Sequence, residues 1–265
     1  MSRQSEIRAH LGLLGELSSI VGAMKNMAQV EVHRTERIEQ IQGEALATVT
    51  GSMALFHQFY PEMIADRLPG PSVMVLIGSE RGFCGGFNDQ VVRAFTSQTE
   101  GHDTILVVGD RLAGKMNIDD RTTCIPGPAT IDEVPIRGQE LTDHLLRLTP
   151  PISRLTLIHH GAHGVAPAVV FPWPEVAGID TAPSLCFNLP PPLLLRELQW
   201  HCLQQGLLHA LLLSLAVENR MRMQQMERAM DHLDELTRTL RLRQNTLRQQ
   251  EIIEEIEMML TERSD

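Results

Sequence analysis

From Leu193 to the end the chain has no proline, and after Gly206 it has no glycine. Strong helix formers fill the whole stretch. Apolar residues recur at Met223, Met226, Met230, Leu233, Leu236, Leu240 and Leu247, and again at Ile252, Ile256 and Met259. The steps are threes and fours, broken once by seven and once by five. That is a narrow stripe on a long helix rather than the broad face of a globular one. Such a helix would run for about 100 Å, more than an ordinary domain buries. It requires a long partner.

The other end of the chain offers one. Residues 3 to 58 hold no proline, and Ile7, Leu11, Leu14, Leu17, Val21, Met24 and Ala28 follow the same spacing. Ile38, Ile41, Ala45 and Val49 resume it, and Pro61 ends the segment. Ser5 is placed to cap the start. Gly12, Gly15 and Gly22 each cost about 1 kcal/mol in a helix interior. Their expected return is close approach of the partner helix.

Residues 71 to 190 differ in texture. Val73–Ile77 and Thr104–Val108 are short apolar runs, each ended by a glycine; Leu155–Ile158 and Ala168–Phe171 make two more. Helical patterns lie between, over residues 89–99 and 138–148. Buried strands alternating with helices predict an α/β unit with a largely parallel sheet. The expected division is helix over 1–60, α/β domain over 71–190 and helix over 193–265. Joined through a compact insert, the terminal helices would run antiparallel as a coiled coil.

The totals narrow the function. A net charge of −10 opposes general nucleic-acid binding, which needs a basic footprint. Aromatic content of 4% removes base-stacking platforms. Cys84, Cys124, Cys186 and Cys202 are scattered, which predicts thiols in a reducing compartment. The N-terminus lacks the pattern of a signal peptide, and no apolar run is long enough to span a bilayer.

Candidate chemistry is sparse. Ser79-Glu-Arg-Gly-Phe-Cys-Gly-Gly-Phe-Asn88 follows the first strand, where phosphates often bind. It has neither GxGxxG nor GK[ST], so a tight turn is expected, with Gly82, Gly85 and Gly86 in angles other residues avoid. Arg81 beside Cys84 would favour a thiolate, but no helper base lies near in sequence. His159, His160 and His163 lack the spacing of a metal site and read as a surface turn. No catalytic, cofactor or metal residue is expected. On the last helix, Glu218–Arg222 and Asp234–Arg238 have the order of surface ion pairs. Arg248-Gln249 suits a grip on a partner's carboxylates or loops.

Three stretches resemble the gamma subunit, or central stalk, of F-type ATP synthases. Ile20-Val-Gly-Ala-Met-Lys-Asn-Met-Ala28 looks like I-T-K-A-M-x-M-V-A. Ser79 to Asn88 is similar to S-D-R-G-L-C-G-G-x-N, carried here by Arg81, Gly82, Cys84, Gly85, Gly86 and Asn88. Ser214-Leu-Ala-Val-Glu218 with Arg222, Met223, Met226 and Ala229, then Asn245, Arg248, Gln249, Ile252, Glu255 and Ile256, resembles the family's last helix. Gly22 stands where the family has lysine and Ile253 where it has threonine; the insert is short and the tail acidic. These departures suggest a divergent or alternate bacterial form.

The resemblance implies a Rossmann-like insert between two helices of an antiparallel coiled coil. It implies a non-catalytic rotor that couples ion flow through a membrane c ring to ATP synthesis or hydrolysis on beta subunits. Implied partners are the alpha and beta subunits, epsilon and the c ring. Met24, Arg248, Gln249, Ile252 and Glu255 would touch beta. The implied location is peripheral, on the cytoplasmic side of a bacterial inner membrane. The competing expectation is a small α/β enzyme, dependent on a nucleotide or on Cys84, that dimerises through coiled-coil arms.

Overall fold

The computed structural model describes residues 3–63, 70–98, 101–148, 152–161, 164–171 and 188–262. Helix α1 covers Arg3–Phe59 and is followed by a 3-10 turn at Pro61–Met63. Then come β1 (Ser72–Ile77), α2 (Phe87–Thr96), β2 (Thr104–Val108), α3 (Asp110–Ala113) and β3 (Thr122–Ile125). A 3-10 turn at Ile131–Glu133 leads into α4 (Val134–Leu146), then β4 (Arg154–Gly161), β5 (Gly164–Phe171) and α5 (Pro191–Glu262). The expected class is therefore observed: an α/β middle between two long helices.

The termini of the long helices follow from proline chemistry. Pro61 disfavours helical angles at Tyr60, and α1 stops at Phe59. Pro191 and Pro192 occupy the first positions of α5, where a missing N–H costs nothing. The carbonyl of Pro190 accepts the N–H groups of Leu193 and Leu194, each at 3.0 Å. Helix α1 is already under way at Arg3, so Ser5 lies inside its first turn rather than at its cap.

The chain divides into two compact units, one of Gln29–Met221 and one of Met1–Ala28 with Arg222–Asp265. The larger holds the sheet, in the order β3-β2-β1-β4-β5. β1 pairs in parallel with β2 and β4, and β2 with β3; β5 returns antiparallel along β4. The expected strands are present, and β3 is an addition. Its Thr122-Thr-Cys-Ile125 run is half polar and partly exposed, so it carried no apolar signal.

The sheet is covered on both faces. Val73, Val75 and Ile77 of β1 join Leu106, Leu155 and Leu157 against α4 and against Leu207, Leu211 and Leu215 of α5. Met74 and Leu76 point the other way, with Val91 of α2 and Leu112 of α3. Strand alternation thus sends β1 into two cores, which is why it reads as an unbroken apolar run. Packing is closest at two glycines. A Cβ on Gly138 of α4 would lie 2.4 Å from Leu208 Cδ2 of α5. On Gly78, just past β1, it would lie 2.2 Å from Leu112 Cβ.

In the same unit α1 runs antiparallel to α5. Glu36 pairs with Arg220 at 3.4 Å, Gln42 bonds Gln205, and Cys202 Sγ meets the Val49 carbonyl at 3.7 Å. Its buried or half-buried positions include Val32, Thr35, Glu39, Gln42, Ala45, Leu46, Val49, Met53 and Phe56. Ile38 and Ile41, expected to face inward, are 43% and 62% exposed. Ala45 and Val49 are half-buried as expected, but at the two preceding turns the inward places go to Glu39 and Gln42, polar side chains that a count of apolar residues passes over.

The smaller unit consists of the two chain ends side by side. Gln4 bonds Glu251 at 2.6 Å and Lys25 pairs with Glu227 at 2.9 Å, so the strands of the coil run in opposite directions. On α1 the inward positions are Ile7, Leu11, Leu14, Ser18, Val21, Lys25 and Ala28. On α5 they are Met226, Met230, Leu233, Thr237, Leu240, Gln244 and Leu247. Gln244 fills the seven-residue gap in the apolar stripe, and Thr237 takes the inward place read for Leu236. Leu17 and Leu236, read as part of the stripes, are 41% and 40% exposed. A Cβ on Gly12, Gly15 or Gly22 would meet nothing within 4 Å. These glycines do not admit a close partner helix, and the helix runs through them without a break.

Two losses of stability are expected. Gly78→Ala overpacks a site walled by Leu112 and Asn88, costing about 1–3 kcal/mol. Leu211→Ala opens a cavity under the sheet, costing about 2–5 kcal/mol. Urea unfolding followed by circular dichroism measures both.

Candidate functional site

The glycine-rich loop leaves the carboxyl end of β1, the edge where parallel sheets bind ligands. Three of its polar side chains close the loop itself. Asn88, buried at the start of α2, accepts the Ser79 N–H at 3.0 Å and donates to Ser79 Oγ at 2.8 Å. The Cys84 thiol donates to the same hydroxyl at 3.4 Å. Cys84 is 4% exposed, so it is a packing group and not the accessible thiolate that a nearby Arg81 would favour. Arg81 itself is exposed.

Backbone angles in the loop differ from expectation. Gly85 has φ of 60°, but Gly86 has an ordinary φ of −81° and Gly82 is not in the left-handed region. Phe83 is there instead, at φ of 62° and 66% exposed. A non-glycine residue in that region carries about 1–3 kcal/mol of strain.

Glu80 was not singled out in the sequence, and it ties the loop to the two loops beside it. Its Oε2 accepts the N–H of Asp110 at 3.1 Å and of Gly127 at 2.8 Å. These groups follow β2 and β3, and Gly109 beside them has φ of 102°. The chain's own carboxylate thus occupies the position where an anion would satisfy these donors. Cys84 and the loop, the two features behind an enzymatic reading, are both built into the fold.

The histidines also fall elsewhere than expected. His159 and His160 lie within β4, not in a surface turn. His160 is buried, stacks on Phe87 with ring centroids 3.9 Å apart, and donates from Nε2 to the Phe87 carbonyl at 3.0 Å. His163 and Cys186 lie outside the described residues. Among the described residues no cluster of His, Cys, Asp or Glu has the geometry to hold a metal. No helix among them is long and apolar enough to cross a membrane.

The partner-contact candidates are on the two-helix unit. Met24 is half-buried on α1, and Arg248, Gln249, Ile252 and Glu255 are exposed on α5. Among the described residues α1 begins at Arg3, and its Gln4 faces Glu251 of α5. Ile252, Ile253, Ile256, Met258 and Met259 are each between 46% and 63% exposed. The last apolar positions of the sequence stripe are thus exposed. Glu218 and Arg222, by contrast, are 3% and 6% exposed rather than a surface pair, while Asp234 and Arg238 are exposed as expected.

One more contact went unread. Glu31 of α1 accepts the Ile131 N–H at 3.1 Å, and Arg34 bridges Glu31 at 3.3 Å and Asp132 at 2.7 Å. It ties α1 to the turn before α4. Residues a hundred positions apart leave no local spacing from which such a tie could be inferred.

Glu80→Ala strands two backbone donors, and a stability loss of about 1–3 kcal/mol is expected by urea unfolding. Thiol labelling should separate the described cysteines. Cys124 is exposed and should react fast in the native protein. Cys84 and Cys202 are buried, and burial pushes the Cys202 thiol up to about 11. Both should react only after unfolding.

A family profile described as ATP synthase matches residues 3–259. No curated protein matches the chain in sequence. The chain is similar in fold to the rotor of the Euglena gracilis mitochondrial ATP synthase in rotational state 1, with a TM-score of 0.64 at 16% identity, over 94% of this chain and 98% of that one. It is also similar to a chain from the central stalk and c ring of the Tetrahymena thermophila mitochondrial ATP synthase. There the TM-score is 0.56 at 17% identity, over 79% of this chain and 99% of the other.

Proposed function

The chain belongs to the gamma-subunit family of ATP synthases, and from that premise we propose that it is a rotor coupling ion flow to ATP synthesis or hydrolysis on neighbouring beta subunits. Its place as a non-catalytic central stalk subunit comes with the family. The coupling reading is supported above all by the two chain ends paired antiparallel, at Gln4–Glu251 and Lys25–Glu227. A two-helix rod without interior proline is stiff enough to carry torque.

In this reading the rod stands inside a ring of alternating alpha and beta subunits. The α/β domain sits on the c ring beside epsilon. The apolar, acidic end of α5 from Ile252 to Met259 is the part that needs cover, and a surrounding ring supplies it. Arg248 and Gln249 grip beta loops through a planar guanidinium fork and an amide. Ile252 and Glu255 extend that contact, and Met24 meets the moving part of beta, where a flexible thioether adapts to successive partners. The loop residues Arg81, Gly82, Cys84, Gly85, Gly86 and Asn88 hold the α/β domain in shape and touch no substrate. The division into helix 1–60, domain 71–190 and helix 193–265 matches these roles. The protein is peripheral, on the cytoplasmic side of a bacterial inner membrane, and reaches the membrane through the c ring.

Affinity purification of the tagged chain from its own membranes tests the reading. Alpha, beta and c subunits should co-purify; their absence would end it. Removing residues 244–265 should leave the α/β domain folded while lowering ATP-driven ion pumping several-fold, read by quenching of a pH- or ion-sensitive dye. Full pumping by the truncated form would count against the assigned contacts.

A further inference from the structure

The paired chain ends of the smaller unit present two unlike faces. In an antiparallel coil, the residues just before the inward positions of both helices share one face, and the residues just after them share the other. On α1 the residues just before are Leu13, Leu17, Ile20, Met24 and Met27. Their steps are four, three, four and three, the spacing of a coiled-coil seam. Yet Leu13, Leu17, Ile20 and Met27 are between 41% and 63% exposed. The Lys25–Glu227 and Gln4–Glu251 contacts set the level of the two helices. They put Leu236 of α5, itself exposed, at the level of Leu17. The residues just after the inward positions are Gly12, Gly15, Ser19, Gly22 and Asn26 on α1, with Asp231, Asp234, Arg238 and Arg241 on α5. That second face is polar or bare backbone.

We propose that the apolar face is a docking surface for a second copy of this chain, which lays α1 on α1 with the two rods running in opposite directions. Charge, shape and area all fit that occupant. The α1 row holds no charged residue from Leu13 to Met27, and the facing row of α5, Gln225, Ala229, His232, Leu236 and Thr239, holds no carboxylate or guanidinium. A net charge of −10 makes copies of the chain repel one another, and this face is where that repulsion is missing. A partner chosen by opposite charge finds nothing here to pair with. The large apolar side chains lie on α1, so equal cover comes from another α1 row. With the faces together, rods running in opposite directions set α1 on α1, whereas rods running the same way set α1 on α5. The contact is isologous, and Ile20, in the middle of the row, lies within one turn of the twofold axis.

From Leu13 to Met27 the row is about 21 Å long. Two such faces, each two helices wide, bury on the order of 1,000 Å² together, the low end for a specific contact. The dimer is therefore weak and reversible. It covers Met24, so pairing and entry into a ring exclude each other; that one point rests on the stalk reading.

Sedimentation velocity of the full-length chain, from about 1 µM to about 100 µM, spans the affinity of such a contact. The wild type should pass from monomer to dimer across that range. Ile20→Glu and Ile20→Lys each bring like charges together near the axis, and each should raise the dissociation constant at least about tenfold. An equimolar mixture of the two variants sets opposite charges together and should recover the dimer. Ser19→Glu on the polar face and Ile256→Glu on the exposed end of α5 should leave it unchanged. Ile20 is 58% exposed, so its variants keep the fold; circular dichroism checks this, and Met27→Glu replaces any that does not. A wild type monomeric throughout would overturn the proposal, leaving the face to a different partner. So would a dimer indifferent to Ile20→Glu, a dimer lost in Ile256→Glu, or a mixture that stays monomeric. The test needs no partner subunit, so its failure leaves the stalk reading to stand or fall on co-purification.

Discussion

Helix α5 has to satisfy two environments without a break. Its first half is core: Leu207, Leu211 and Leu215 close one face of the sheet. Its second half is surface, paired along one side with the opposite end of the chain. Helix α5 is continuous from Pro191 to Glu262, so the α/β core and the paired chain ends draw on the same helix.

The coil seam shows how such a helix remains a surface element. Its inward positions are not uniformly apolar. Ser18, Thr35, Gln42, Thr237 and Gln244 share them with leucine, valine and methionine. Polar residues in a seam lower stability but fix register. Apolar surplus sits outside it, at Leu13, Ile20 and Met27 and on the end of α5. The helix pair thus joins a partly polar seam to an exterior that carries exposed apolar residues.

Much of this was legible beforehand. Strand runs ended by glycine, and helices bounded by Pro61 and Pro190 to Pro192, marked the architecture because proline and glycine act locally. The choice of seam was harder. Leu17, Ile38 and Ile41 have the same spacing as the residues one position on, and composition cannot say which of two adjacent stripes faces inward. Long-range polar contacts were out of reach altogether. Glu80 reaching Asp110 and Gly127, and Glu31 reaching Ile131, leave no periodic trace. His160 was misread because a histidine pair next to glycine looks like a turn, whereas stacking on Phe87 makes the ring a good strand residue. Conversely, the motif from Ser79 to Asn88 was plain as a motif, but its purpose was not. Ser79, Cys84 and Asn88 bond to one another, so the spacing serves loop closure.

The notch at Gly138 has a mechanical corollary. A β-carbon at Gly138 would lie 2.4 Å from Leu208 Cδ2 and 3.2 Å from its Cγ, so the branched end of that leucine fills the notch the glycine leaves. Were α5 pulled lengthwise, this leucine would have to climb out over a neighbouring side chain, and a lone salt link could not offer the same resistance. Axial slip is opposed here by steric engagement, like a pawl in a tooth, and the opposition does not fade with ionic strength.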